Sequence, residues 1–201
     1  MTRMPYIRVG HDLILAFRRQ VGSWRAGLTL ILMCSMLPAH GTNPLPLSDD
    51  LISEPAAWRR LGGGEMRWLG LRIYEASLWA PQASWRDDAP FALAIRYERA
   101  IPSSRLVQTS LDEMRRLGMA DESRLEAWRA VLERAFPDVG RGDVIVGVNL
   151  PGEGVAFYLG DEPTGRITDE SFARAFFAIW LDERTREPGL RTRLLGASGG
   201  G

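Results

Sequence analysis

The fold is decided by residues 66–80, which read MRWLGLRIYEASLWA. This stretch is rich in aromatic and aliphatic side chains and follows the glycine run at 62–64, so it predicts a long strand after a hairpin turn. Its large side chains fall in two rows, with Leu69, Leu71 and Ile73 in one and Trp68, Tyr74 and Leu78, with Arg72 among them, in the other. Because both rows carry large side chains, we expect both faces of this strand to be covered.

The periodicity of the remaining chain predicts further strands and helices in an informative order. Alternating or short apolar runs predict strands at 58–61, 91–98, 144–150, 155–159 and 165–168. Apolar residues at helical spacing predict helices at 103–118, 121–136, 169–180 and 188–195. The expected N-caps are Ser103 or Ser104, Asp121 and Asp169. This order indicates an α+β fold in which helices pack against one antiparallel sheet.

The first 41 residues have the order of a secretory signal peptide. A basic segment precedes an apolar run at 26–37, and Ala39 and Gly41 follow at the spacing of a cleavage site. The run is too short to cross a bilayer, which needs about 20 residues. We expect cleavage after Gly41, or after Ala39, which removes Cys34; lipidation of Cys34 and an uncleaved anchor are less favoured alternatives. The mature chain is therefore expected to be periplasmic or secreted, with no membrane span.

The composition excludes several kinds of chemistry and one class of partner. The chain has no lysine, and after His40 it has neither histidine nor cysteine. Histidine-dependent triads, lysine Schiff bases and zinc sites need those residues, so we expect no metal and no cofactor. The predicted leader holds five arginines and one acid, which leaves 160 residues with 20 arginines, 24 carboxylates and a net charge of −4. Without a basic excess, nucleic acid is not an expected partner.

The predicted mature chain has a length suited to one domain. We place this domain at 58–196, after an N-terminal arm at 42–57 that is polar and interrupted by prolines. A flexible glycine-rich tail at 197–201 follows it.

Within this domain, several segments resemble the chalcone isomerase-like family, in particular its bacterial secreted branch. The stretch 70–79, GLRIYEASLW, is similar to the long strand of that family. Further similar segments are FP at 136–137, GD at 142–143, FY at 157–158, GRI at 165–167, DESF at 169–172, FFAIWL at 176–181 and LLG at 194–196. The resemblance covers 58–196 and implies an open-faced β-sandwich, with a large antiparallel sheet under a layer of helices and an apolar cleft between them.

The resemblance also implies what such a cleft does. In the plant enzymes of the family it holds a flavonoid, and an arginine, a strand threonine and a helix tyrosine assist cyclisation. This chain has Arg72 in place of the threonine and Arg105-Leu106 in place of the tyrosine, so catalysis stays open. Members that bind fatty acids without catalysis use an arginine and a tyrosine against the carboxylate, a role that suits Arg72 and Tyr74.

The spacing of Arg72 and Tyr74 supports the same interpretation. Residues two apart leave the same face of a regular strand, and a guanidinium there can hold a carboxylate through two hydrogen bonds, with the tyrosine hydroxyl as a third donor. The alternatives are that Arg72 pairs with a protein carboxylate, such as Glu98 or Glu113, or reaches solvent.

Arg96 and Tyr158 complete the predicted ligand-binding set. Arg96 shares a strand face with Glu98, so a solvated face is the alternative for this arginine.

Three functions follow as hypotheses. The first is a non-catalytic periplasmic binder of a small apolar carboxylic acid, either fatty or aromatic. The second is an intramolecular lyase or isomerase that acts on an enone, and the third is a scaffold whose cleft is filled by its own tryptophans.

Overall fold

The computed structural model describes residues 58–196. The predicted signal peptide at 1–41, arm at 42–57 and tail at 197–201 lie outside the described residues, so these assignments stay predictions. Six strands form one sheet in which each strand pairs antiparallel with the next along the chain. They are β1 (Arg59–Trp68), β2 (Leu71–Ala80), β3 (Phe91–Tyr97), β4 (Val144–Leu150), β5 (Gly154–Leu159) and β6 (Glu162–Ile167).

Four helices accompany the sheet: α1 (Ser103–Arg116), α2 (Glu122–Ala135), α3 (Glu170–Leu181) and α4 (Pro188–Leu194). As predicted, Asp121 and Asp169 cap α2 and α3, because each carboxylate accepts hydrogen bonds from backbone N–H groups of the first turn. At α1 the N-cap is Pro102 instead, since Ser103 already lies in the helix and its hydroxyl donates to the Phe136 carbonyl at 2.6 Å. No helix within residues 58–196 is long and apolar enough to cross a bilayer.

The main core lies between one face of the sheet and the helices, and all four helices contribute to it. Aromatic rings meet at its centre, where Phe157 of β5 packs edge-on against Phe136 and Phe176 at centroid distances of 5.1 and 5.0 Å. Such edge-to-face pairs add to the free energy of burying the rings. This arrangement confirms the predicted α+β fold, with helices laid on an antiparallel sheet.

The opposite face of the sheet carries a smaller cluster of buried residues that all come from strands: Trp79, Ala92, Ala94, Val146 and Val148. At the C-terminal end of β2 the adjacent residues Leu78 and Trp79 are both buried. The expectation that both faces are covered therefore holds for this end of the strand.

The first hairpin turn does not lie where the glycine run predicts it. Residues 62–64 lie inside β1, which continues to Trp68. A Cβ atom at Gly62 would lie 1.9 Å from the carbonyl oxygen of Arg193 and 2.6 Å from that of Leu194. The prediction of a turn at 62–64 is therefore wrong, because glycine at position 62 allows the backbone of α4 to approach the strand.

The chain reverses instead at Leu69 and Gly70, between the paired residues Trp68 and Leu71. Leu69 has a φ of 50° and Gly70 a φ of 79°. Positive φ at both central positions defines the type I′ turn, whose twist matches that of a hairpin. The predicted strand at 66–80 is thus divided, and its first residues belong to β1.

β2 contains a β-bulge close to this turn. Met66 pairs with Tyr74 and Arg67 pairs with Arg72, so Ile73 has no partner on β1. An extra residue of this kind breaks the alternation of side chains between the two faces of the sheet. The bulge decides which side chains of β2 reach the candidate site.

Candidate functional site

An open cavity of about 990 Å³ lies between the first strands and the helices. Its walls come from β1, β2, β3, β4, α1, α3, the C-terminal end of α2 and the connections that follow β3 and α3. Apolar side chains dominate the walls, among them Met66, Ile73, Ile95, Leu106, Phe176 and Ile179. Such a size and lining are typical of small-molecule sites in proteins.

Tyr74 of β2 is held in the cavity wall by α3. The indole Nε1 of Trp180 donates a hydrogen bond to the Tyr74 hydroxyl at 3.0 Å. Desolvation raises the pKa of Tyr74 to about 12; the bond from Trp180 acts in the opposite direction, and the charges of Glu187 and Glu113 add to the rise. The phenol is therefore un-ionised at neutral pH, and its own proton is available for a second hydrogen bond.

Tyr97 of β3 is the cross-strand partner of Tyr74 and lines the same cavity. The two rings meet edge-on, with centroids 6.3 Å apart. Tyr97 is only 6% exposed, and burial raises the pKa of its phenol, with the charge of Tyr74 adding to the rise. Among residues 58–196 its hydroxyl has no hydrogen-bond partner. Because Tyr97 lines an open cavity, this hydroxyl is available for a hydrogen bond to a group that enters the cavity.

Two exposed arginines also line the cavity. Arg99 follows β3, and Arg105 lies in the first turn of α1. Neither guanidinium forms an ion pair or hydrogen bond within the described part of the chain. The N-terminus of α1 already has an acidic partner, because the backbone N–H of Ser103 donates a hydrogen bond to the carboxylate of Asp138 at 2.7 Å, so the positive charge that is free to attract an anion here is that of the two arginines. An anionic group would therefore be stabilised at this part of the cavity.

Further along α1, the cavity is bordered by an ion-pair network. The carboxylate of Glu113, with a side chain 14% exposed, pairs with Arg116 at 2.9 Å and Arg186 at 2.7 Å. Glu113 lies about 12 Å along the helix axis from Arg105. Because Glu113 already neutralises these two arginines, an incoming carboxylate finds less positive charge here than near Arg105.

The cavity wall contains hydrogen-bond donors and also the carboxylates of Glu113 and Glu187. Tyr74 and Tyr97 are neutral phenols at ordinary pH, whereas Arg99 and Arg105 are always charged and only donate. Within residues 58–196 there is no group of three or more potential metal ligands. The arrangement is suited to hold an anion that carries an apolar body.

Of the predicted pair on β2, Tyr74 lines the cavity and Arg72 does not. The guanidinium of Arg72 pairs with the carboxylate of Glu65 at 2.8 Å. Because of the bulge, the adjacent residues Ile73 and Tyr74 both line the cavity, where a regular strand would have placed Arg72 with Tyr74. Arg72 thus has a protein carboxylate as its partner, and the two residues do not form one site.

The other two predicted ligand-binding residues also lie away from the cavity. Arg96 of β3 is exposed, has Glu75 as its cross-strand neighbour, and donates to the carbonyl oxygen of Gly142 at 3.4 Å. Tyr158 of β5 packs against the small cluster on the outer face of the sheet. The structure therefore brings neither of them together with Tyr74.

The sequence prediction missed Tyr97, Arg99 and Arg105. A signal for Tyr97 was present, because it ends the alternating row of Phe91, Leu93 and Ile95 and so carries a hydroxyl to the edge of a buried face. For Arg99 no local signal exists, whereas Arg105 stands where the family resemblance places the tyrosine of the cleft. Their place beside the cavity depends on how α1 packs across the sheet.

The fold and the cavity together define an open-faced β-sandwich with an open apolar cleft between the sheet and the helices. A family model described as chalcone isomerase-like matches residues 62–196. The chain belongs to the chalcone isomerase-like family, as its resemblance in sequence implied. A search of curated protein sequences finds no significant match.

Among solved structures, the chain is similar to the fatty-acid binding protein AtFAP1 of Arabidopsis thaliana. The TM-score is 0.54 at 13% sequence identity, and the match covers 75% of this chain and 95% of that protein. At this low identity, the likeness shows a shared fold.

Proposed function

We propose that this protein binds a small apolar carboxylic acid, such as a fatty or aromatic acid, without transforming it. The observation that carries the proposal is an open apolar cavity whose wall contains the hydroxyl of Tyr97, which has no hydrogen-bond partner among residues 58–196. Membership of the chalcone isomerase-like family and the fold shared with a fatty-acid binding protein support a ligand-binding role in general. The class of ligand is inferred from the groups that line the cavity.

The apolar body of the ligand would lie against Ile73, Ile95, Phe176 and Ile179, which come from two strands and α3. Each methylene group that leaves water for such surroundings contributes about 0.8 kcal/mol to binding. Affinity should therefore increase with chain length until the cavity is filled.

The carboxylate would lie near Arg99 and Arg105, with the hydroxyl of Tyr97 as a further donor. Among the described residues, no protein carboxylate forms an ion pair with these two arginines. The arginines near the C-terminal end of α1, Arg116 and Arg186, are in contrast already paired with Glu113. An ion pair with an exposed arginine contributes up to about 1 kcal/mol, and the hydrogen bond from the Tyr97 hydroxyl to a charged carboxylate contributes about 1.5–3 kcal/mol where the bound ligand shields it from water. The charge of the ligand should therefore account for a large share of its affinity.

Isothermal titration calorimetry on the full chain tests the proposal. A series of straight-chain acids and a series of aromatic acids would each be compared with the corresponding methyl esters, which keep the apolar body and lose the charge. We expect the acids to bind, the longer ones more tightly, and the esters to bind at least about 10-fold more weakly. Absence of binding across both series would contradict the proposed function.

Variants then locate the carboxylate. The double variant Arg99→Gln with Arg105→Gln should weaken acid binding by about 10-fold or more and leave ester binding unchanged. Arg96→Gln serves as the matched control, because it removes an exposed arginine of the same sheet that lies away from the cavity. A loss of acid affinity in the control as large as in the double variant would contradict the assigned position.

The alternative hypotheses keep separate tests. An intramolecular lyase acting on an enone is motivated by the family resemblance, and turnover across a panel of enones and flavonoid precursors would support it. A scaffold with a filled cleft is less favoured, because the cavity beside Trp180 is open. Periplasmic or secreted location is proposed from the leader at 1–41, and detection of the processed chain in a periplasmic fraction would test it.

A further inference from the structure

The turn between β1 and β2 exposes a group of large apolar side chains. Trp68 is 60% exposed, Leu69 81% and Leu71 56%, and within residues 58–196 no other large hydrophobic residue is exposed. We call residues 68–71 the hairpin tip. A contiguous apolar group of this kind marks a surface that contacts another apolar surface.

Leu69 in the hairpin tip has a backbone conformation that leucine disfavours. Leu69 is the one non-glycine residue with positive φ in the described part of the chain. Asparagine, aspartate or glycine is favoured at this position of a type I′ turn, because a bulky L-residue is disfavoured in the left-handed region. Since most of its side chain lies in solvent, Leu69 contributes little to the core or to the turn. We therefore expect the side chain of Leu69 to contact another molecule.

Positive charge flanks the hairpin tip. Arg67 and Arg72 both pair with the carboxylate of Glu65, each at 2.8 Å, so the end of the hairpin beside the turn keeps one positive charge in excess. Arg99, which has no ion pair in the described residues, lines the same cavity as Trp68. Apolar residues surrounded by excess arginine are complementary to a surface that is negatively charged outside and apolar beneath.

We propose that the hairpin tip docks on an anionic lipid surface. Leu69 and Leu71 enter the apolar boundary, Trp68 lies at the level of the headgroups, and Arg67 and Arg72 contact the acidic headgroups. Because Trp68 also lines the cavity, docking would bring the cavity to the lipid and give an apolar acid a route between them. The docking does not depend on the proposed acid ligand, so the two proposals can fail separately.

A vesicle flotation assay with the full chain tests the docking. Vesicles of phosphatidylcholine with phosphatidylglycerol would be compared with vesicles of phosphatidylcholine alone. Leu69→Asn removes the apolar side chain and introduces a residue that tolerates positive φ, so the hairpin is kept. We expect the wild-type chain to float with the anionic vesicles. The variant should bind these vesicles at least about 10-fold more weakly. Both chains share residues 1–57, so the difference between them reports on the hairpin tip.

Two further measurements locate the contact. Hydrogen exchange at 66–72 should slow when anionic vesicles are added to the wild-type chain, and should not change in Leu69→Asn. Arg67→Gln should weaken binding to anionic vesicles by about five-fold. Arg86→Gln, in the connection at the opposite end of β2, is the matched control and should leave binding unchanged.

Equal flotation of the wild-type chain and Leu69→Asn, or no vesicle-dependent change in exchange at 66–72, would overturn the proposal. Self-association that is lost in Leu69→Asn, without binding to vesicles, would overturn it in favour of a contact between two copies of the chain. Calorimetry with free acids on the same samples shows whether the cavity is functional. A negative flotation result with normal acid binding would therefore count against the docking alone.

Discussion

The two halves of β2 have similarly large side chains and very different surroundings. From Ala76 to Ala80 the strand is almost entirely buried, and each of its residues has a partner on β1, although β1 has an irregularity of its own between Arg60 and Gly62. From Leu71 to Glu75 it is exposed or half-buried, and it contains the bulge that leaves Ile73 without a partner on β1. One half is close-packed, and the other borders a cavity.

This difference teaches how one strand serves both stability and binding. At the buried half, α4 approaches so closely that Gly62, which pairs with Leu78, has no room for a side chain. At the exposed half, the helices leave a cavity that is lined by Ile73 and Tyr74. We therefore expect the stability of the fold to depend on the buried half and ligand binding to depend on the exposed half.

The largest expected effect separates the two halves by truncation. Leu78→Ala should lower the free energy of unfolding by about 3 kcal/mol, because it leaves a void around a fully buried side chain. Ile73→Ala should cost only about 1 kcal/mol, since Ile73 is half-buried beside a space that already exists. Urea denaturation of both variants measures the comparison. Equal losses would show that the exposed half is as important for stability as the buried half.

A second comparison uses two glycines of β1 and its turn. Gly62→Ala should cost about 2–3 kcal/mol, because the new Cβ would overlap the carbonyl oxygens of Arg193 and Leu194 and displace α4. Gly70→Ala should cost about 1 kcal/mol through its positive φ alone, since no atom lies within 4 Å of the added Cβ. Thermal unfolding monitored by circular dichroism provides the measurement. A larger loss in Gly70→Ala would contradict the close approach of α4.

The pH dependence of stability should reveal the desolvated tyrosines at the cavity. Burial raises the pKa of both Tyr74 and Tyr97 above the value of about 10 expected in the unfolded chain, to about 12 for Tyr74. The stability that comes from keeping these phenols neutral is complete below pH 10 and is lost as the pH rises above it, through about 12 for Tyr74. In this window the free energy of unfolding should fall by about 1.4 kcal/mol per pH unit for each tyrosine.

Urea denaturation between pH 9 and 12 measures this slope. The double variant Tyr74→Phe with Tyr97→Phe is the control, and it should flatten the dependence. An unchanged slope in the double variant would mean that other groups control the alkaline unfolding.

The smallest expected effect distinguishes the two tyrosines from each other. Tyr74→Phe should cost about 1 kcal/mol, because it leaves the indole N–H of Trp180 without its acceptor. Tyr97→Phe should change the free energy of unfolding by less than about 0.5 kcal/mol, because its hydroxyl has no partner among the described residues. Binding of a straight-chain acid should weaken in Tyr97→Phe. If Tyr97→Phe were as destabilising as Tyr74→Phe, the hydroxyl of Tyr97 would have a structural partner after all.

Local features of the fold were predicted well from the sequence. Strand alternation at 91–98 and helix capping by Asp121 and Asp169 depend on residues close together in the chain, and the structure contains them. The first turn was placed wrongly, because a glycine run indicates a turn and a close approach equally well. Only the position of α4 shows which role Gly62 has.

The candidate site was predicted only in part, since a pattern with a period of two assigns Arg72 and Tyr74 to one face. The bulge at Ile73 breaks that period, and it results from pairing with β1, which no local pattern contains. Arg99 precedes α1 and Arg105 lies in it. Both line the same cavity as Tyr97 because of the way α1 packs against the sheet.

The sequence by itself determined the family and the order of strands and helices. It also showed that the predicted mature chain has no lysine, histidine or cysteine side chains for catalysis. These properties follow from composition and from short-range periodicity, which the backbone obeys locally. Only the tertiary structure decided that Tyr74 and Tyr97 share a cavity with two arginines that have no ion pair among residues 58–196, that Arg72 pairs with Glu65, and that Leu69 is exposed at a turn. The physical reason is that these features depend on strand register and on the approach of helices distant in sequence.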